Sequence, residues 1–269
     1  MKVSPVDIAA ARRGSTAGGG RTPCRRLAAP QTGEQQGKTA RLGGGSPGGS
    51  VGGRHADLAA VAAYVIGSMS PSYVAARGLG GIDLRLYGSG TVSGSNVWRS
   101  VARWAVVPVG IVEVLKGVGA VLVARALGLD VWWQMMAGCI VIVGHNWSMF
   151  LRFSGGRGFG VSIGVLLMVG PKELAVMGGI TLLGFLAGAS APAMGLGMAA
   201  TPVVSYLFGD RAAVTAGCGI LTFLMFAKRL TGDPSAAESG LPWKSLILNR
   251  LVFDRDIRDE RGWLERRPR

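Results

Sequence analysis

The sequence is poor in charge. Asp, Glu, Lys and Arg make up 16% of its 269 residues, against roughly 25% in a soluble domain, which excludes an ordinary solvent-covered globule. Cysteine is also scarce. Cys24, Cys139 and Cys218 are too few and too scattered for a disulfide framework or a zinc site. Cys139 and Cys218 lie in apolar runs, where a thiol behaves as a small hydrophobe. No metal and no cofactor are expected. Residues 1–57 contain no aromatic residue and thirteen glycines, so they cannot bury enough apolar surface to offset their ordering entropy. This stretch opens without the apolar core of a secretory signal and is read as a disordered Gly/Arg-rich extension. The net charge of +14 is not gathered into a basic patch, which argues against a nucleic-acid partner. Anionic lipid headgroups or a phosphorylated substrate account for it better.

What remains is apolar. Hydrophobic residues are 49% of the chain and the mean hydropathy is +0.36. Apolar runs near 58–76, 103–126, 132–150, 159–170, 172–190, 192–208 and 212–227 predict an all-α polytopic membrane protein of about seven transmembrane or re-entrant helices. Several runs are shorter than the ~20 residues of a straight span, so tilted or re-entrant segments are expected. Gly178, Gly179, Gly184, Gly188, Gly195 and Gly197 suit close helix approach. Lys and Arg collect in the loops at 77–102 and 151–158 and after the last run, which places those loops and the C-terminus in the cytoplasm. The domain reading is an extension to residue 57, a membrane domain at 58–227 and a basic tail at 228–269. In that tail Trp243, Leu246, Ile247 and Leu251 share helical spacing and predict an amphipathic helix on the inner leaflet or on a partner surface.

Two glycine-rich loops fall on the cytoplasmic side. The first runs Gly88-Ser89-Gly90-Thr91-Val92-Ser93-Gly94-Ser95-Asn96-Val97-Trp98-Arg99, the second Phe153-Ser154-Gly155-Gly156-Arg157-Gly158-Phe159-Gly160. Glycines let backbone N–H groups turn toward an anion, and Ser, Asn and Arg donors complete a phosphate cradle. Neither loop is a dinucleotide fingerprint or a Walker A loop. Glu113 and Lys116 sit three apart in an apolar run, and His145 and Asn146 close the next. Intramembrane ionisable residues are functional candidates, and a simple stabilising ion pair is the alternative for the first two.

The order Gly-Ser-Gly…Asn-x-x-Arg, then Glu-x-x-Lys-Gly, then Gly-His-Asn-x-x-x-Phe-Leu-x-Phe-x-Gly-Gly-Arg-Gly resembles the PlsY family of integral-membrane acyl-phosphate:glycerol-3-phosphate acyltransferases. The resemblance covers residues 60–165 well and extends more loosely to 227. It implies acyl transfer from acyl phosphate to the 1-hydroxyl of glycerol 3-phosphate, giving lysophosphatidic acid, at the cytoplasmic face of the cell membrane among membrane lipids. By the same resemblance Ser89, Asn96, Arg99, His145 and Arg157 are the catalytic candidates. Gly88, Gly90, Lys116, Asn146, Gly155, Gly156 and Gly158 are the candidates for binding substrate phosphate. Arg157 stands where the family motif has lysine, which keeps the charge and changes the donor geometry. The His-x-x-x-x-Asp acyltransferase pattern has no residues here, since Phe150 and Ala60 follow His145 and His55 at that spacing.

The chain also departs from the family. Thr91 and Ser93 replace an Asn and a Gly of the first motif. The third motif, Arg-His-x-x-Asn with a later Gly-x-Glu, is replaced by Phe226-Ala227-Lys228-Arg229-Leu230-Thr231-Gly232. Asn249-Arg250-Leu251 and Asp256 are the nearest replacements downstream. The competing readings are a membrane transporter and an inactive family paralogue binding a phosphorylated solute.

Overall fold

The computed structural model describes residues 51–87, 90–231 and 242–255. They are helical with no strand among them: α1 (Val51–Ser68), α2 (Pro71–Gly80), α3 (Gly94–Ser100), α4 (Val106–Ala126), α5 (Val131–Asn146), α6 (Phe159–Val169), α7 (Pro171–Leu186), α8 (Ser190–Leu207), α9 (Ala212–Leu230) and α10 (Trp243–Phe253). Three segments are long and apolar enough to cross a membrane, Gly52–Gly80, Val106–Ala126 and Ala212–Leu230. The seven apolar runs fall on α1–α2, α4, α5, α6, α7, α8 and α9. Of the extension expected to end at residue 57, residues 1–50 lie outside the described residues, while α1 is already helical from Val51.

The first run is two helices rather than one. Ser70 caps α2, its side chain accepting from the Tyr73 N–H, and Pro71 occupies the first helical position, where its missing N–H costs nothing. The break strands carbonyls at the end of α1, which in lipid must find donors. Ser148 Oγ donates to the Ser68 carbonyl at 2.6 Å and Lys116 Nζ to the Met69 carbonyl at 2.6 Å. A second stranded carbonyl has a proline cause. Pro202 inside α8 removes the hydrogen bond to Met198, and the hydroxyls of Thr201 and of Thr222 on α9 donate to that carbonyl at 2.8 and 2.9 Å. The repair ties α8 to α9.

Packing depends on glycine where backbones touch. A Cβ on Gly67 or Gly144 would strike the carbonyl of Val141 or Tyr64, which brings α1 onto α5. One on Gly117 or Gly164 would strike the carbonyl of Val161 or Val114, locking α4 against α6. Among the glycines expected to serve close approach, Gly184, Gly195 and Gly197 do so, against Ala193, Arg229 and Met177. Gly178, Gly179 and Gly188 have nothing within 4 Å. Their sequence context is the same, because a small-residue pattern shows a permissive face and not the face used. Cys139 and Cys218 are buried between α5 and α9, with Cys139 Sγ 4.0 Å from the Gly217 carbonyl. Cys24 lies outside the described residues.

The α4–α6 contact yields a sharp expectation. Gly117→Val or Gly164→Val should cost about 2 kcal/mol or more through overpacking, read as a lowered thermal midpoint in detergent. Gly119→Val, on the same helix with nothing within 4 Å, should leave the midpoint nearly unchanged. Equal effects at all three positions would show that the glycine contact does not set stability.

Candidate active site

Two side chains organise the described residues between α2 and α3. Asp83 receives the guanidinium of Arg85 at 2.6 Å and that of Arg77 at 3.3 Å; the Arg85 hydrogen bond holds its carboxyl below the usual carboxylate range. Asn96 is fully buried. Its amide nitrogen lies 2.9–3.1 Å from the carbonyls of Leu84, Tyr87 and Thr91, and its Oδ1 accepts from Ser100. An asparagine with every polar atom engaged in shaping a loop is a scaffold for the site. Gly88 and Ser89 lie outside the described residues, and Gly90 next to them takes a left-handed φ of 67°.

The second loop is pressed onto the C-terminal end of α5. Arg152 and Phe153 both adopt φ near 60° (54° and 60°), rare for side chains of that size, and so reverse the chain into Ser154–Gly158. A Cβ at Gly155 would meet the His145 carbonyl, and one at Gly156 the His145 ring at Nε2. The Gly156 N–H donates to the His145 carbonyl and the Gly155 carbonyl accepts from the Val92 N–H, so the two glycine loops are stitched together. The Gly156 N–H, a candidate phosphate donor, is engaged by α5 here. Gly158, at φ 75°, starts α6 and sits against Ile142 and the side chain of Asn146. Asn146 itself donates to the Leu224 carbonyl on α9 at 3.3 Å. Its position is under the loop.

Lys116, Glu113 and His145 form a buried cluster. Glu113 Oε2 is 3.1 Å from Lys116 Nζ and 2.9 Å from His145 Nδ1. The lysine charge is thus matched by Glu113 and further bonded to Met69. Lys116, a candidate for binding substrate phosphate, is engaged here by a carboxylate and a carbonyl.

The cationic groups that do converge come from distant parts of the chain. Arg157 Nη1 donates to Thr91 Oγ1 at 3.3 Å, and its Nη2 donates to the Asp254 carbonyl at 3.1 Å. Its Nε lies 2.5 Å from the Asp254 carboxylate. Arg229, buried at the end of α9, places its Nε 3.4 Å from the same carboxylate oxygen and donates to the carbonyls of Leu251 and Ala191. Burial pushes the Asp254 carboxyl up, against the opposite pull of Arg157, Arg229 and Arg99. A cavity of about 250 Å³ is lined by Ser95, Glu113, His145, Arg157, Arg229 and Asp254 among others. A neighbouring one of about 210 Å³ adds Arg99 and Arg255, and the two share Ser95, Arg157, Met194 and Asp254 as walls. Of the expected site residues, the structure brings Arg99, His145, Arg157 and Gly158 to these cavities. Sequence reasoning missed Ser95, Arg229 and Asp254. Arg229 was visible only as a charge ending a span, and Asp254 lies near Asn249, Arg250 and Asp256, the residues considered as replacements. Arg250 instead donates to the Leu230 carbonyl at 2.8 Å, fastening α10 to α9, and Asp256 lies outside the described residues.

On the other side of α4 runs a groove of about 400 Å³, walled by Val74, Leu79, Trp104, Pro108, Val112 and Lys116 among others. Val109 borders both this groove and the larger of the two arginine-lined cavities.

The fold is that of a helical membrane protein in which clustered arginines line two adjoining cavities beside an apolar groove. The sequence model of the family described as glycerol-3-phosphate acyltransferase matches residues 58–231, so the chain belongs to that family of acyltransferases. Among its relatives is glycerol-3-phosphate acyltransferase 4 of Dehalococcoides mccartyi (strain CBDB1), 37% identical over 212 residues, covering 76% of this chain and 91% of the relative. Glycerol-3-phosphate acyltransferase 5 from another strain of that species is 36% identical over 215 residues, covering 78% and 92%. The crystal structure of PlsY, an integral membrane glycerol 3-phosphate acyltransferase, in its glycerol 3-phosphate form superposes with a TM-score of 0.61 at 27% identity, covering 65% of this chain and 88% of that one. The match to the family model ends at residue 231, before α10 and Asp254.

Proposed function

We propose that this protein transfers a fatty acyl group from acyl phosphate to the 1-hydroxyl of glycerol 3-phosphate, releasing lysophosphatidic acid and phosphate, at a site facing the cytoplasm. The observation that carries the reading is the convergence of Arg99, Arg157 and Arg229 on two adjoining cavities, with an apolar groove across α4. Two phosphate groups need this much positive charge. The groove suits the acyl chain, because burying it there removes apolar surface from water. In the transfer, the hydroxyl oxygen bonds to the acyl carbon, the bond from that carbon to the phosphate oxygen breaks, and the hydroxyl proton goes to the departing phosphate. Acyl phosphate is already activated, so positioning and charge neutralisation supply the acceleration. Ser89 and His145 remain the candidates to hold the attacking hydroxyl, and the glycine loops those to shape the phosphate pocket.

The test is turnover by purified protein in lipid, with palmitoyl phosphate or palmitoyl-CoA as donor and glycerol 3-phosphate as acceptor. Lysophosphatidic acid is expected from the acyl phosphate reaction alone. Product from the CoA ester at an equal rate, or from neither donor, would overturn the reading.

A further inference from the structure

Asp254 is placed in a conformation and at a helix end that local preferences alone do not favour. It ends α10 in the left-handed region, at φ 61°, where glycine is favoured. Its carboxylate also stands at the C-terminal, negative end of a helix. Locally disfavoured geometry persists only where surrounding contacts over-determine it. Those contacts are two guanidinium groups, Arg157 at 2.5 Å and Arg229 at 3.4 Å, and both border the cavity that the reading above gives to phosphate.

Arg229 is 4% exposed, and a guanidinium so buried requires a counter-charge. Asp254 is that counter-charge. A carboxylate between two arginines presents an anion as a phosphate group does, so the two compete for the same donors. The helix bearing Asp254 is attached independently of it. Leu246 is buried, Arg250 donates to the Leu230 carbonyl, and Arg229 donates to the Leu251 carbonyl. Asp254 can therefore leave the arginines while α10 stays docked.

The geometry points to Asp254 as an internal stand-in for substrate phosphate: a carboxylate, carried by a helix beyond the family-matched region, that occupies the arginine pair and is displaced when a phosphate group binds. This rests on the assignment of the Arg157–Arg229 cavity to phosphate. It makes the C-terminal segment a regulator of substrate affinity, since the apparent dissociation constant is raised by the fraction of molecules in which the carboxylate holds the site.

The experiment is calorimetric titration of the full chain, in detergent at fixed ionic strength, with inorganic phosphate. Two variants are used. Asp254→Asn removes the charge with little change of shape. Asp254→Gly removes the side chain while suiting the left-handed φ, so it keeps the helix end intact. Both should bind phosphate more tightly, by roughly tenfold if the site is closed about nine-tenths of the time. Unchanged, weaker or absent binding in both variants would overturn the proposal, because a carboxylate that merely orients the arginines gives weaker binding on removal. The donor-selective turnover assay, run on the unaltered chain, fails or succeeds separately. Tighter phosphate binding by the variants with no turnover by the parent would reject the acyltransferase reading and leave the displaced carboxylate standing.

Discussion

Arg157→Ala should lower the turnover of acyl phosphate with glycerol 3-phosphate by about 1000-fold, the order of loss when a preorganised donor to developing charge is removed. The side chain sits at the join of three separate parts of the chain. It donates to Thr91 in the first glycine loop, pairs with Asp254 after α10, and begins in the second glycine loop itself. Both cavities count it as a wall, so its loss removes charge from wherever either phosphate binds. Arg157→Lys should restore part of the rate, since an ammonium supplies charge without the planar fork. The glycine loops are held to each other and to α5 by backbone bonds from Val92 and Gly156, and Arg229 still pairs Asp254, so the alanine variant should still fold, with a lowered thermal midpoint in detergent. Near-full turnover by that variant, measured as lysophosphatidic acid formed, would remove the arginine cluster from the mechanism.

The second large effect concerns stability. Glu113→Ala should destabilise the protein by about 3–5 kcal/mol, because it leaves Lys116 without its buried carboxylate partner. Both side chains are at most 7% exposed and lie 3.1 Å apart. The Met69 carbonyl offers the ammonium only a dipole. Replacing both charges, Glu113→Leu with Lys116→Met, should cost less than Glu113→Ala alone, since no uncompensated ion then remains. Thermal unfolding of the two variants in the same detergent decides it. If the double variant is the less stable, the pair is worth more than its desolvation and the reasoning fails.

The helices were legible because apolar runs of membrane length leave few alternatives, and the all-helical membrane architecture follows from them. The break at Met69-Ser70-Pro71 was written in the chain too, as a cap residue followed by proline, but hydropathy averages across such a break and reads one span. Glycine contacts were legible as a tendency only. Gly178 and Gly197 look alike in sequence, yet one faces open space and the other a carbonyl. At the site, the motifs marked Arg99, Arg157 and His145, and they also marked Asn96, whose scaffolding work emerges only from the three carbonyls around it. Asp254 was beyond reach for another reason. It meets Arg157 across 97 residues, and nothing in local composition links a carboxylate after one helix to an arginine before another.

The buried line from the Met69 carbonyl through Lys116 and Glu113 to His145 runs across α4 from the apolar groove to the larger arginine-lined cavity. On the acyl transfer proposed above, it would separate the acyl-chain compartment from the phosphate compartment. Under the proposed reading, a donor with a long hydrocarbon tail arrives from the lipid side and a small doubly charged acceptor from the water side, and neither crosses the other's medium. Only the reacting ends meet, at the edge where Val109 borders both compartments. The enzyme thereby avoids the greatest expense of joining oil to salt, that of dissolving either one in the wrong phase.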